Sequence, residues 1–109
     1  MTAAHFRKIA LSFPEAVESS HMNHPDFRVG GRIFATLTAD GSSGVVMLDR
    51  EDQEFLIRIG EGVFTPAAGA WGQQGSTVIA LRSAKPALVR DAIEAAWRRR
   101  APKRLLSQR

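Results

Sequence analysis

With no cysteine anywhere in its 109 residues, the chain has neither disulfides, zinc–thiolate sites nor thiol nucleophiles available to it. Its three histidines are the next place to look for chemistry. His21 and His24 stand three residues apart with Asp26 close behind, and two imidazoles with a carboxylate are a possible ligand set for zinc or another divalent ion. In a continuous strand that spacing sends the two rings to opposite faces, and Pro25 restrains the backbone between them. The plainer expectation is a pair of polar edge residues hydrogen-bonded to a loop. As general bases these histidines would need a positioned nucleophile, and the neighbouring Ser19 and Ser20 are not set in a nucleophile elbow. No catalytic residue, metal site or cofactor is therefore assigned, and the expectation is a protein that is not an enzyme. The stretch Gly69-Ala70-Trp71-Gly72-Gln73-Gln74-Gly75 is rich in glycine but lacks the Gly-Lys-Ser/Thr ending of a phosphate loop, and it leads into a strand rather than a helix.

Anion binding is the chemistry the remaining residues favour. Arg28 and Arg32 flank Gly30-Gly31, and across a tight hairpin they would stand close together on one face. Two guanidinium groups so placed can grip phosphates, with Trp71 as a stacking surface beside them. The competing expectation is that the arginines pair with Asp26 or Glu18 and that Trp71 plugs the end of the core. Charge is distributed unevenly. Arg98, Arg99, Arg100, Lys103, Arg104 and Arg109 give the C-terminal stretch, about residues 98–109, six of the fifteen basic side chains. Residues 1–97 carry nine basic against eleven acidic side chains, a formal net of −2 within an overall +4. The tail is basic and the body is not. Such a tail attracts nucleic acid through phosphate neutralisation without reading its sequence. It is equally suited to solubilise the C-terminus and to complement a helix dipole.

The elements that must position these residues follow from periodicity. A chain of this length suits one domain, residues 1–109. Phe6, Ile9, Ala10 and Phe13 mark an amphipathic helix over residues 3–13, stopped by Pro14. A turn at Glu15–Glu18 and a short strand near Val17–Asn23 precede the central hairpin. There, Phe27–Val29 and Arg32–Thr38 flank a Gly30-Gly31 turn of type I′ or II′. In the second strand Ile33, Ala35 and Leu37 are expected on one face, with Phe34, Thr36 and Thr38 on the other. After a turn at Asp40–Gly44, Val45–Leu48 forms a strand. Asp49 caps a helix whose buried stripe is Phe55, Leu56 and Ile59. Val63–Gly75 reads as a loop and Thr77–Leu81 as the last strand. Ser83 is the expected cap of a final helix with an apolar face of Leu88, Val89, Ala92, Ile93, Ala96 and Trp97, after which Lys103–Arg109 frays. The sum is an α+β fold, a twisted antiparallel sheet with helices packed on one face and the first and last helices side by side. No apolar run approaches membrane-spanning length and no secretory signal is visible, so a cytoplasmic protein with no membrane partner, and a monomer, is the expectation.

Four stretches carry a resemblance. Leu11-Ser12-Phe13-Pro14-Glu15-Ala16-Val17-Glu18 resembles the entry segment of the MmcQ/YjbR family. His24 through Ala35 is similar to its central hairpin, Pro66 through Gly75 to its tryptophan–glycine loop, and Ala96-Trp97 with Ala101-Pro102-Lys103-Arg104-Leu105 to its C-terminus. Relatives often carry an aromatic where this chain has Ser76. The resemblance implies a CyaY-like fold and a DNA-binding label. On that basis the expected function is non-enzymatic, largely sequence-nonspecific DNA binding. Arg28, Arg32, Arg98, Arg99, Arg100, Lys103 and Arg104 would contact phosphates and Trp71 would stack. The alternative is a protein- or small-ligand-interaction module that uses the open sheet face around His21, Arg32 and Trp71.

Overall fold

The computed structural model describes residues 1–107; Gln108 and Arg109, the last two positions of the basic tail, lie outside the described residues. The chain runs α1 (Ala3–Leu11), β1 (Val17–His21), β2 (His24–Val29), β3 (Arg32–Leu37), β4 (Ser43–Met47), α2 (Arg50–Ile59), β5 (Phe64–Pro66), α3 (Gly69–Gln73), β6 (Ser76–Ala80), α4 (Pro86–Arg100) and α5 (Lys103–Leu106). One 3-10 turn, Leu81–Ser83, precedes α4. Six strands form one antiparallel sheet in the order β1-β2-β3-β4-β6-β5. The architecture is the expected α+β class. No helix among the described residues is long and apolar enough to cross a membrane.

The two long terminal helices pack beside each other over one face of the sheet. Their apolar stripes explain why: Phe6, Ile9 and Ala10 of α1 and Val89, Ala92, Ile93, Ala96 and Trp97 of α4 are all buried. Phe6 meets Phe27 of β2 with ring centroids 6.1 Å apart, and Phe13 stacks on Trp97 at 5.8 Å. The Trp97 indole Nε1–H donates to the Pro14 carbonyl at 3.1 Å, which satisfies the one polar atom of a fully buried side chain. Glu18 of β1 points to the same side and pairs with Arg7 of α1 at 2.9 Å.

Among the described residues no long helix crosses the opposite sheet face, and two turns shape it. Gly30 and Gly31 both have positive φ, +58° and +77°, as a type I′ turn requires. Met22 and Asn23 make a second tight turn with φ of 49° and 66°. A β-bulge intervenes in β3: Phe27 pairs with Ala35 and Arg28 with Ile33, leaving Phe34 as the extra residue. The bulge corrects the expected alternation. Phe34, Ala35 and Leu37 are all buried, while Ile33 and Thr36 are only partly covered and line the open face.

Other departures have local causes. The first helix ends at Leu11, where the Ser12 hydroxyl donates to the Ile9 carbonyl. Asp49 does cap α2, accepting from the Asp52 amide at 2.7 Å. Its buried positions, however, are Gln53 and Leu56, while Phe55 and Ile59 stay exposed. The expected loop 63–75 contains an edge strand and a short helix. Ser83 lies in the 3-10 turn and does not cap α4, which starts on Pro86 at its first position. The tail does not fray at Lys103: α5 puts Leu105 into the core at 2% exposure.

Candidate functional site

The open sheet face forms a concavity of about 780 Å³. Strand alternation supplies its floor. Register partners Met47–Ser76, Val45–Val78 and Val45–Thr36 put every second residue of the central strands on this side. Ile33, Thr36, Val45, Met47 and Ser76 all line it. At one edge stands the short helix α3. Its Trp71 is 73% exposed, which overturns the expectation that this indole plugs the core. Buried Gln53 fixes α3 from beneath: its side-chain amide donates to the carbonyls of Gly72 at 2.9 Å and Ser76 at 3.1 Å. Gly72 itself lies so close to Ala67 that an added Cβ would collide with the Ala67 carbonyl. At the opposite edge the concavity is lined by Met22 of the β1–β2 turn, 87% exposed.

His21, Asp26 and Arg28 form a connected group on this face. Asp26 is fully buried and accepts from Arg28 Nε at 2.8 Å, from Arg28 Nη2 at 3.1 Å and from His21 Nδ1 at 2.7 Å. The Arg28 hydrogen bonds hold the Asp26 carboxyl below its ordinary value against the opposing effect of burial, and His21 acts in the same direction. Asp26 in turn raises Arg28. His21 and His24 are register partners across β1–β2 with ring centroids 6.0 Å apart. The expectation of opposite faces fails because the Met22-Asn23 turn falls between them. Among the described residues no group of three His, Asp or Glu side chains is placed to hold a metal ion.

The arginines divide into engaged and free. Arg28 is bound to Asp26, as the surface-pairing alternative anticipated, whereas Glu18 goes to Arg7. Arg28 and Arg32 are one ladder step apart and not directly opposed, since Arg28 pairs with Ile33 and Arg32 with Val29. Both still line the concavity. Arg100 joins them from the C-terminal end of α4. The hairpin tip abuts the α4–α5 junction, where a Cβ at Gly30 would lie 3.2 Å from Pro102 Cγ. This packing brings Arg100 beside Arg32. Burial, followed by the charges of Arg99 and Arg32, lowers the Arg100 pKa, and its buried Nε has no hydrogen-bond partner among the described residues. Arg99 lines a smaller adjoining recess of about 80 Å³ with Trp71 and Arg100. Arg98 and Lys103 are exposed and border neither cavity. Arg104 is taken up by Glu15 in two hydrogen bonds of 2.7 and 2.8 Å.

Of the residues singled out from sequence, Arg28, Arg32, Trp71 and Arg100 therefore converge, Arg99 adjoins them, and Arg98, Lys103 and Arg104 do not. Sequence reasoning missed Met22, Gln53 and the apolar floor. Only the alternating strand pattern hinted at the floor, and nothing distinguished Gln53 from a solvated helix residue.

Comparison with known proteins agrees with this description. No curated protein matches the chain. Among solved structures, the crystal structure of Deinococcus radiodurans protein DR2400, which carries a DUF419 family domain, superposes with a TM-score of 0.74 at 16% identity, covering 88% of this chain and 75% of that one. That likeness concerns the fold. The YjbR family profile matches residues 11–99, a span that includes the hairpin, the Trp71 helix and nearly all of α4, and the chain belongs to the YjbR family.

Proposed function

We propose that this protein is a non-enzymatic nucleic-acid-binding domain, with DNA as the expected polymer, that uses the open sheet face with little sequence preference. The observation that supports it is the convergence of Arg28, Arg32, Arg100 and Trp71 on one concave surface. Guanidinium groups supply phosphate contacts and an exposed indole supplies a stacking plane. Arg98, Arg99 and Lys103 add a positive field from the same end of the molecule without building a site. Among the described residues no helix offers a basic face to a major groove: α1 and α4 are packed on the sheet, α2 opens on Asp49, Glu51 and Asp52, and α3 has only five residues. Contacts would therefore be to backbone and base faces, and affinity would fall steeply with salt.

The test is an anisotropy titration of labelled DNA at about 50 and 200 mM salt with the intact chain and with Arg32→Gln/Arg100→Gln. Binding at low salt that the double variant loses supports the proposal, and no binding by the intact chain at low salt refutes it. A second reading, a pocket for a small organic anion, is favoured by the volume of about 780 Å³ and the apolar floor. A thermal-shift screen of anionic metabolites tests it: a melting point unmoved by every compound counts against it.

A further inference from the structure

The two cations best placed to take a ligand are not the two that flank the hairpin turn. Arg28 already shares its charge with Asp26 through two hydrogen bonds. Among the described residues neither Arg32 nor Arg100 has an ion-pair partner, and the Arg100 Nε is buried without any hydrogen-bond partner. Trp71 borders the same adjoining recess as Arg100, and Arg32 lines the concavity with both, so a stacking plane and two guanidinium groups without ion-pair partners share one surface. At the other edge Met22 holds a left-handed backbone conformation, φ 49°, that an unbranched apolar residue rarely adopts, and it remains 87% exposed.

Resting on the nucleic-acid reading above, we infer that this face takes a single strand and not a duplex. Arg32 and Arg100 clasp the sugar–phosphate backbone, Trp71 stacks an unpaired base beside them, and the strand continues over the apolar floor toward Met22. A duplex keeps its bases stacked on one another and offers the indole no face, and its phosphates do not reach an apolar floor. A strand with splayed bases satisfies both parts of the site at once. Because the two exposed apolar side chains stand at opposite edges of the sheet, the site is longer than one nucleotide needs. Every base has a π face, so this mode of recognition is tolerant of sequence.

The experiment compares a fluorescent single strand of about twelve nucleotides with its duplex, using the full chain, Trp71→Ala and Arg32→Gln. The intact protein is expected to hold the single strand at least about tenfold more tightly than the duplex, and Trp71→Ala to remove about tenfold from single-strand affinity with less than about twofold effect on the duplex. Arg32→Gln is expected to weaken both and to flatten the salt dependence. Trp71 and Arg32 are exposed, so both substitutions leave the core untouched. Equal or tighter duplex binding, or indifference to Trp71→Ala, overturns the single-strand assignment while leaving nucleic-acid binding intact. Competition by a nucleoside monophosphate as effective as the strand overturns the extended site. Failure of the intact protein to bind either form overturns both.

Discussion

Arg28 grips Asp26 side-on, Nε to one carboxylate oxygen at 2.8 Å and Nη2 to the other at 3.1 Å, across a gap of one residue in the same strand. Phe27 between them points to the opposite face and into the core. The pair is unequal. Asp26 is fully buried, while the Arg28 side chain keeps a third of its surface in water.

That inequality predicts asymmetric effects. Arg28→Gln leaves a buried carboxylate with His21 alone and is expected to cost about 2–4 kcal/mol. Asp26→Asn frees an arginine that water can reach and is expected to cost less, about 1–2 kcal/mol. Urea unfolding midpoints measure both. Anion binding is expected to move the other way: Asp26→Asn frees the Arg28 charge in the concavity and should tighten DNA binding in the anisotropy titration.

The acid limb of the stability profile follows from the same contact. The folded-state pKa of Asp26 is lowered from its ordinary value of 3.8, chiefly by Arg28. The folded state thus binds this proton less readily than the unfolded one. Its contribution is fully present above the unfolded value and is lost as pH falls through the lower folded one. Glu15 and Asp40 are lowered as well, by Arg104 and by Ser42 respectively, so the intact protein sums three such contributions. The difference between intact protein and Asp26→Asn, followed by urea unfolding from neutral pH downward, isolates Asp26. It is expected to shrink as the pH drops below 3.8.

The C-terminal stretch is expected to matter for folding as well as charge. Leu105 is 2% exposed and packs in the main core. Leu105→Ala is expected to cost about 2–4 kcal/mol, read as a lowered thermal midpoint. A deletion after Arg100 lowers stability as well as net charge, so lost binding in such a protein is interpretable only beside Arg98→Gln and Lys103→Gln, which leave the core alone.

Trp71 depends on Gln53. Gln53→Met removes the hydrogen bonds to Gly72 of α3 and to Ser76 at the start of β6 and is expected to cost about 1–2 kcal/mol. It is also expected to lower nucleic-acid affinity, although Gln53 does not line the concavity. A stability loss with unchanged affinity in folded protein contradicts that positioning role.

The fold was legible where local chemistry is unambiguous. Gly30-Gly31 declared a hairpin, and Phe6, Ile9 and Ala10 and the α4 stripe declared two helices that needed the same sheet. The β1–β2 turn is hidden in the sequence because Met22-Asn23 is not a usual pair for two positive φ angles, and the facing of His21 and His24 is hidden with it. Strand β5 and helix α3 are too short for a periodic signal, and Pro66 and three nearby glycines disguise both. Half of the site was visible as residue types. Its assembly was not, because Arg100 reaches Arg32 only through the packing of Pro102 on the hairpin tip.

In the function proposed for this protein the open face, and not the basic tail alone, binds nucleic acid. The two indoles distinguish the two regions, because Trp71 is 73% exposed in the concavity and Trp97 of α4 is buried against Phe13. In a nitrogen–proton NMR spectrum recorded as single-stranded DNA is added, the Trp71 indole signal should shift or broaden together with the Arg32 and Arg100 Nε–H signals, while the Trp97 indole signal stays in place. Perturbation confined to Arg98, Arg99, Lys103 and the residues after them, with the Trp71 signal unmoved, would rule out a site on the open face.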